Sequence, residues 1–371
     1  MSDPLDSVLA EILTPAGQEP PPAGAILAVR EGERTETAVA GHRELAALGG
    51  RELPMTPDCS FDLASITKLF TTVALMRLVS DGSVSLDDDL GRFVPGTVAS
   101  RVSIRLLLQH RAGLWEWWPL YMEAAHPAAA FSYLDALPLR YRPNEGRHYS
   151  DLGFMMLGRV IETVSALPLA AAAERLVIEP LGLEHTRYAR PVGDVVAAGS
   201  LGDSAEIGMI ASGIPYPVPY SVHDFSRWRR DLVISEPNDG NAFHALGGIS
   251  GHAGLFSTVP DLMALASALA VGRDDLWSST VADEFFASGP DAAQALGFRR
   301  YTMRLGGETV DVLGHPGYTG SVLGFVPGRG IAMVLATNRL HTSGTPATTD
   351  RLWSAALSGA GRALRPHPTP K

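Results

Sequence analysis

A serine and a lysine three residues apart, Ser65 and Lys68, stand near the start of the stretch 61–82, FDLASITKLFTTVALMRLVSDG. The pattern predicts one helix of about five to six turns, stopped by Asp81-Gly82. Beyond its first turn nearly every side of it is apolar (Leu69, Phe70, Val73, Leu75, Met76, Leu78), so it is expected to be buried. An unpaired ammonium is expensive to desolvate in such a place. On one helix face the two β-carbons lie about 5–6 Å apart, which is hydrogen-bonding reach. An alcohol becomes a competent nucleophile when a base takes its proton, and a lysine lowered in pKa by burial is such a base. In a first helical turn, free N–H groups and the helix dipole also favour an oxyanion forming beside Ser65. Taken alone, the four residues equally suit a polar helix start with an outward-reaching lysine.

Two further stretches carry reactive groups. EGRHYSDLGFMMLGRVIE places Tyr149 and Asp151 just before an apolar helix, on either side of Ser150. Asp151 also fits as the cap of that helix, and it can do both. GHPGYTGSVLGFVPG places His315 and Gly317 at a strand edge, where a glycine lets a ligand approach the backbone closely.

With Ser-x-x-Lys, Tyr-x-Asp and His-x-Gly in this order, the chain resembles the serine β-lactamase and penicillin-binding protein superfamily. The resemblance is nearest to the branch with class C β-lactamases, D-alanyl-D-alanine carboxypeptidases and related esterases, and it spans roughly residues 24–358. IRLLLQHRAGL and GGISGHAGLFSTVPDL resemble segments of the same branch. The resemblance implies Ser65 as the acylated nucleophile, Lys68 as its base partner and Tyr149 as the group exchanging protons with Ser65 and the leaving group. It implies an oxyanion hole from the backbone N–H groups of Ser65 and Tyr318. The sequence departs from the β-lactamases at two places. His315 stands where they commonly have lysine, and a neutral imidazole binds a carboxylate less strongly than a permanent cation. Asp151 stands where they usually have asparagine; a carboxylate there favours a charged Lys68, shifts the burden toward Tyr149, and supplies the buried ammonium with a partner.

These groups need a scaffold, and its texture is readable. Residues 24–42 alternate around a Gly-Glu turn as a β-hairpin. TVDVLGHPGY, SVLGFVPG and GIAMVLATN are three short β-rich runs, followed by a helix over TPATTDRLWSAALSGAGRAL. Helical periodicity dominates between the two ends: near 103–114, 152–165, 169–177 and 259–272. The expected fold is α+β, β-lactamase/transpeptidase-like, with an antiparallel sheet built from both chain ends, flanking helices and a mostly helical second region. The expected division is a sheet region, 8–60 with 245–362, a mostly helical region, 61–244, carrying Ser65 and Tyr149, and a disordered tail, 363–371. Residues 185–245, with little periodicity, read as ordered loops over the site or a lid.

Composition limits the alternatives. The 371 residues, 46% hydrophobic and 19% charged with formal charge −10 and pI near 5.5, describe an acidic globular protein without the charge balance for nucleic acid. No signal peptide, transmembrane run or membrane partner is expected, and cytoplasm is the default location. Lone Cys59 reads as structural. The 11 histidines form no His-Glu-x-x-His or Cys/His pattern, so neither metal nor other cofactor is expected; His110 and His252 read as structural hydrogen-bonders. Trp115, Trp117, Trp118 and Tyr121 either wall an acyl pocket or simply pack.

The expected function is a serine hydrolase acting through an acyl-enzyme on Ser65, with small carboxylic esters ahead of amides and β-lactam-like molecules as substrates. A D-alanyl-D-alanine carboxypeptidase or class C-like β-lactamase is the rival enzyme, and a non-catalytic ligand sensor on the same fold is the rival of another class.

Overall fold

The computed structural model describes residues 4–17, 19–188, 191 and 195–364. Its centre is a seven-stranded sheet in which every pairing is antiparallel. The first strands are β1 (Gly24–Glu31), β2 (Arg34–Glu44) and the short β3 (Leu53–Pro54). The last four are β6 (Arg299–Leu305), β7 (Glu308–Pro316), β8 (Val322–Val326) and β9 (Ile331–Thr337). The order β3-β2-β1-β9-β8-β7-β6 joins the two chain ends through β1 and β9, with Ala25 opposite Thr337 and Glu31 opposite Ile331. A second, two-stranded ladder pairs β4 (Ser60–Asp62) with β5 (Phe256–Thr258).

Central strands buried on both faces supply apolar residues to two layers alternately. In β1, Ile26 and Ala28 enter one core, and Ala25, Leu27 and Val29 the other. The second core is closed by the helices Pro4–Ile12 and Thr349–Ala363, where Leu5, Val8, Trp353 and Ala360 are buried. Gly359 permits this docking, since a Cβ there would stand 2.0 Å from a Val8 methyl. The first core holds the helices Thr67–Ser80, Asp151–Ser165 and Val259–Val271. Among the described residues no single helix is long and apolar enough to cross a membrane.

The α+β expectation and the shared sheet hold. Several local expectations need correction. The stretch 61–80 is not one helix: β4 ends at Asp62, a 3-10 turn covers Ala64–Ile66, and the α-helix begins at Thr67. Pairing of Phe61 and Asp62 with Ser257 and Phe256 overrides the local helical pattern. The helix near 103–114 is only Ile104–Leu108, with His110 in the left-handed region at φ 57°. Residues 204–212 within the irregular stretch are helical. Ala363 and Leu364, assigned to the tail, end the last helix, and Leu364 is buried; the rest of that tail, 365–371, lies outside the described residues.

Candidate active site

Ser65 is held in the 3-10 turn by its neighbours. Ala64 has φ 44°, a conformation that costs a non-glycine residue energy and needs support from its surroundings. Asp62 gives that support: Oδ1 accepts the Ala64 N–H at 2.9 Å, while Oδ2 accepts the Asn238 backbone and side-chain N–H groups at 2.7 and 2.9 Å. Lys68 follows as the second residue of the α-helix and is fully buried.

Its ammonium donates to Ser65 Oγ at 2.8 Å, to Asp151 Oδ1 at 2.7 Å and to the His252 carbonyl at 3.3 Å. Those three acceptors match the three donors of an ammonium. Burial alone would lower the Lys68 pKa, but Asp151 and then Tyr149 outweigh it and hold the lysine above its ordinary value. The Tyr149 phenol is also raised, by loss of water first, with Lys68 pulling the other way. At rest Lys68 is therefore an ammonium and Tyr149 a neutral phenol, its ring centre 5.1 Å from Lys68 Nζ. Tyr149 also interacts with the Ser65 side chain.

Position and direction of Tyr149 come from its flanks. Ser150 caps the following helix, its Oγ accepting from the Gly153 N–H at 3.1 Å and donating to the Trp115 carbonyl at 2.6 Å. The cap is thus Ser150 rather than Asp151, whose carboxylate is left for Lys68. The Ser150 N–H donates to His110 Nδ1 at 3.0 Å, and the His110 ring lies 4.5 Å from that of Tyr149. The Asp151 N–H donates to the Glu116 carbonyl at 2.9 Å. The segment 110–116 is therefore the cradle of the tyrosine segment.

His315, on β7, is buried with its ring 5.8 Å from that of Tyr149. Nδ1 lies 2.9 Å from the Pro316 carbonyl. A carbonyl only accepts, so Nδ1 carries the proton and Nε2, which has no partner among the described residues, presents a lone pair. Burial, then the charge of Lys68, keeps this imidazole well below its ordinary pKa. It is an acceptor, not a cation.

The turn after β7 rests on the Ser65 segment. A Cβ at Gly317 would stand 2.5 Å from the Leu63 carbonyl, so only glycine allows the approach. Thr319 Oγ1 donates to the Asp62 carbonyl at 2.6 Å. This brings Tyr318, whose N–H donates to no acceptor among the described residues, beside the nucleophile turn.

Behind Lys68 lies a segment the sequence marked only by resemblance. Gly251 packs against the helix Asp151–Ser165, and its carbonyl accepts from Thr71 Oγ1 at 2.7 Å. Ser250 Oγ meets His252 Nδ1 at 2.7 Å, and His252 Nε2 meets Asp239 Oδ1 at 3.1 Å. Asp151, Asp239 and His252 bring three potential metal-ligand atoms within 4.8 Å of one another. The Lys68 ammonium already bonded to Asp151 is the cation at this cluster, and we read the carboxylates as its counter-charge. Asp62, Asn238, Asp239 and Glu116 had no local signal, because each acts through a partner distant in sequence.

Of the aromatic cluster, Trp117, Trp118 and Tyr121 are buried, and Tyr121 donates to Glu206 at 2.5 Å. Trp115 is half-buried, with Arg140 over its ring at 4.7 Å. Cys59 is buried and unpaired, with its thiol pushed up to about 12 by burial, and is unreactive there.

Residues 10–357 match the family model described as Beta-lactamase. The chain is 29% identical over 358 residues to the N-acetylmuramyl-L-alanine amidase of Bacillus subtilis (strain 168), covering 86% of this chain and 78% of that protein. It is 29% identical over 315 residues to a putative D-alanyl-D-alanine carboxypeptidase of Escherichia coli (strain K12), covering 76% and 69%. Its fold matches that of EstCE1, a hydrolase with promiscuous acyltransferase activity (TM-score 0.71, 19% identity, 96% and 97% coverage). It also matches the D-amino acid amidase of Ochrobactrum anthropi SV3 (TM-score 0.66, 20% identity, 97% of both chains). At those identities the two structures establish shared architecture alone. The family match spans nearly the whole chain, and the chain therefore belongs to the beta-lactamase family, within the superfamily of serine β-lactamases and penicillin-binding proteins, and is a hydrolase.

Proposed function

We propose that this hydrolase cleaves small carboxylic esters, and amides more slowly, through an acyl-enzyme on Ser65. The observation that carries the reading is the contact of the Lys68 ammonium with both Ser65 Oγ and Asp151, beside Tyr149. In the reactive form Tyr149 has released its proton to solvent, at a cost that the neighbouring Lys68 ammonium lowers, and as Ser65 Oγ attacks the carbonyl carbon its proton passes to that phenolate oxygen. The Ser65 and Tyr318 N–H groups receive the oxyanion. Collapse releases an alcohol or amine that takes a proton from Tyr149, and water then cleaves the acyl-enzyme by the same steps in reverse order.

Esters lead because an alkoxide departs more easily than an amine, and because neutral His315 gives a β-lactam carboxylate no permanent cation at the place where β-lactamases commonly have lysine. Hydrolysis of amides or D-alanyl peptides is the second reading, favoured by the names of the two sequence relatives, an amidase and a putative D-alanyl-D-alanine carboxypeptidase. The test is a serine-directed phosphonate followed by intact mass, then kcat/KM over p-nitrophenyl esters, D-alanyl peptides and a chromogenic cephalosporin. One adduct and faster ester than cephalosporin turnover are expected. No adduct supports a ligand sensor, while efficient D-alanine release supports the second reading.

Asp151 has a distinct signature. Its charge holds Lys68 up and raises Tyr149. Asp151→Asn removes that charge, so both groups release protons more readily, and the alkaline limb of kcat/KM should move to lower pH. A profile identical to wild type would place Asp151 outside the proton path.

A further inference from the structure

Residues 237–241, Pro-Asn-Asp-Gly-Asn, form a strap in which every residue is tied to another part of the molecule. The Pro237 carbonyl accepts from Arg229 Nη1 at 2.8 Å, and Arg229 is itself paired with buried Asp203 at 2.7 Å. The Gly240 N–H donates to Glu206 Oε1 at 2.6 Å, and a Cβ on Gly240 would stand 2.2 Å from the other oxygen of that buried carboxyl. Asn241, fully buried, accepts from the Leu120 N–H at 2.8 Å and donates to the Trp118 carbonyl at 2.9 Å. Pinned on both sides in this way, the strap leaves Asn238 and Asp239 little freedom of their own.

Asn238 reaches the nucleophile. Its backbone and side-chain N–H groups meet Asp62 Oδ2, and Asp62 Oδ1 holds the N–H of strained Ala64, next to Ser65. Its own Oδ1 accepts from the Ser200 N–H and hydroxyl, both at 2.9 Å. Asp62 only accepts and the Ser200 N–H only donates, so the amide has a single workable orientation. Asp239 reaches the base. Its Oδ1 accepts from the Ala242 N–H at 2.7 Å and from His252 Nε2 at 3.1 Å. Nε2 therefore carries a proton, while Nδ1 is engaged by Ser250 Oγ at 2.7 Å. An imidazole gripped at both nitrogens fixes the backbone it grows from, and the His252 carbonyl is the acceptor that Lys68 uses besides Ser65 and Asp151.

We infer that Asn238 and Asp239 are paired positioning residues: one sets the Ser65 turn, the other sets the Lys68 ammonium, and the peptide between them governs how Lys68 Nζ meets Ser65 Oγ. The inference rests on the acyl-transfer reading of that pair. Asp239 then acts through its hydrogen bonds as well as through its charge.

Ethyl p-nitrophenyl butylphosphonate, a serine-directed probe, tests it. Saturation kinetics separate its binding constant from the rate constant of the bond-forming step, and the released p-nitrophenolate counts competent sites. Asn238→Ala and Asp239→Leu should each slow that step by about 10–100-fold, the cost of displacing a reacting atom by up to about 1 Å, and leave the binding constant within about threefold. Asp239→Asn keeps an acceptor for both the Ala242 N–H and His252 Nε2, so it should recover most of what Asp239→Leu loses. Because both residues work through one strap, the double variant Asn238→Ala/Asp239→Leu should lose less than the product of the single losses. A merely structural pair would lower the melting temperature and the number of titrated sites while each remaining site reacts at the wild-type rate, and that result would overturn the inference. Asp239→Asn as slow as Asp239→Leu, or a double variant equal to the product, would overturn it too. A wild type that forms no Ser65 adduct sinks the acyl-enzyme reading and the inference with it, whereas a wild-type adduct with unchanged rates in the variants sinks the inference alone.

Discussion

Ser65→Ala is expected to lower kcat/KM by about three or more orders of magnitude while the protein keeps its wild-type melting behaviour. The loss is large because the acyl-enzyme forms on Ser65; Ser250, bonded to His252, is buried. The fold should survive because Lys68 keeps Asp151 and the His252 carbonyl as acceptors, and Asp62 still holds the Ala64 N–H. Steady-state kinetics, intact mass after phosphonate treatment and a thermal melt on one preparation check the three parts. Near-wild-type turnover, or an adduct that persists in the variant, would move the nucleophile elsewhere.

Lys68→Met should be nearly as damaging, and for two separable reasons. Activity falls by about three orders of magnitude because Ser65 loses its partner and Tyr149 loses the cation that eases its ionisation. Stability falls by about 3–5 kcal/mol because Asp151, 18% exposed at its side chain, is left without its counter-charge. Adding Asp151→Asn to Lys68→Met should restore part of that stability, since a neutral amide needs no cation, and should cost little further activity. Denaturant unfolding of the four members of this cycle reads the coupling. Strictly additive penalties would mean that the 2.7 Å contact contributes nothing as a pair.

What was legible in the sequence was local. Ser65 and Lys68 announce themselves by their spacing, Tyr149 and Asp151 by sitting before an apolar helix, and β7, β8 and β9 by short apolar runs between Gly and Pro. The errors have physical causes. Residues 61–66 carry a helical pattern, yet Phe61 pairs with Ser257 and Asp62 bonds to Asn238, and such distant partners decide the backbone without leaving a mark nearby. Strand β6, RRYTMRL, was missed because it is an edge strand whose outer positions are polar. Arg339 reads as an ordinary arginine after a strand; only the structure reveals that it is buried, with Nε and Nη1 lacking an acceptor among the described residues.

The turn that carries Ser65 is fastened by residues far apart along the chain: Asn238 to Asp62 across 176 positions, Lys68 to His252 across 184 and Thr319 to Asp62 across 257. Loop closure on that scale delays the contacts that depend on it, because the entropy of the intervening chain is lost before they form. The Asp62 carboxylate that supports the strained Ala64 conformation is itself fixed only by those closures. Catalytic competence is therefore a late property of folding, and recovered activity during refolding reports completion of the whole chain's long-range assembly, lagging behind helix content rather than tracking it.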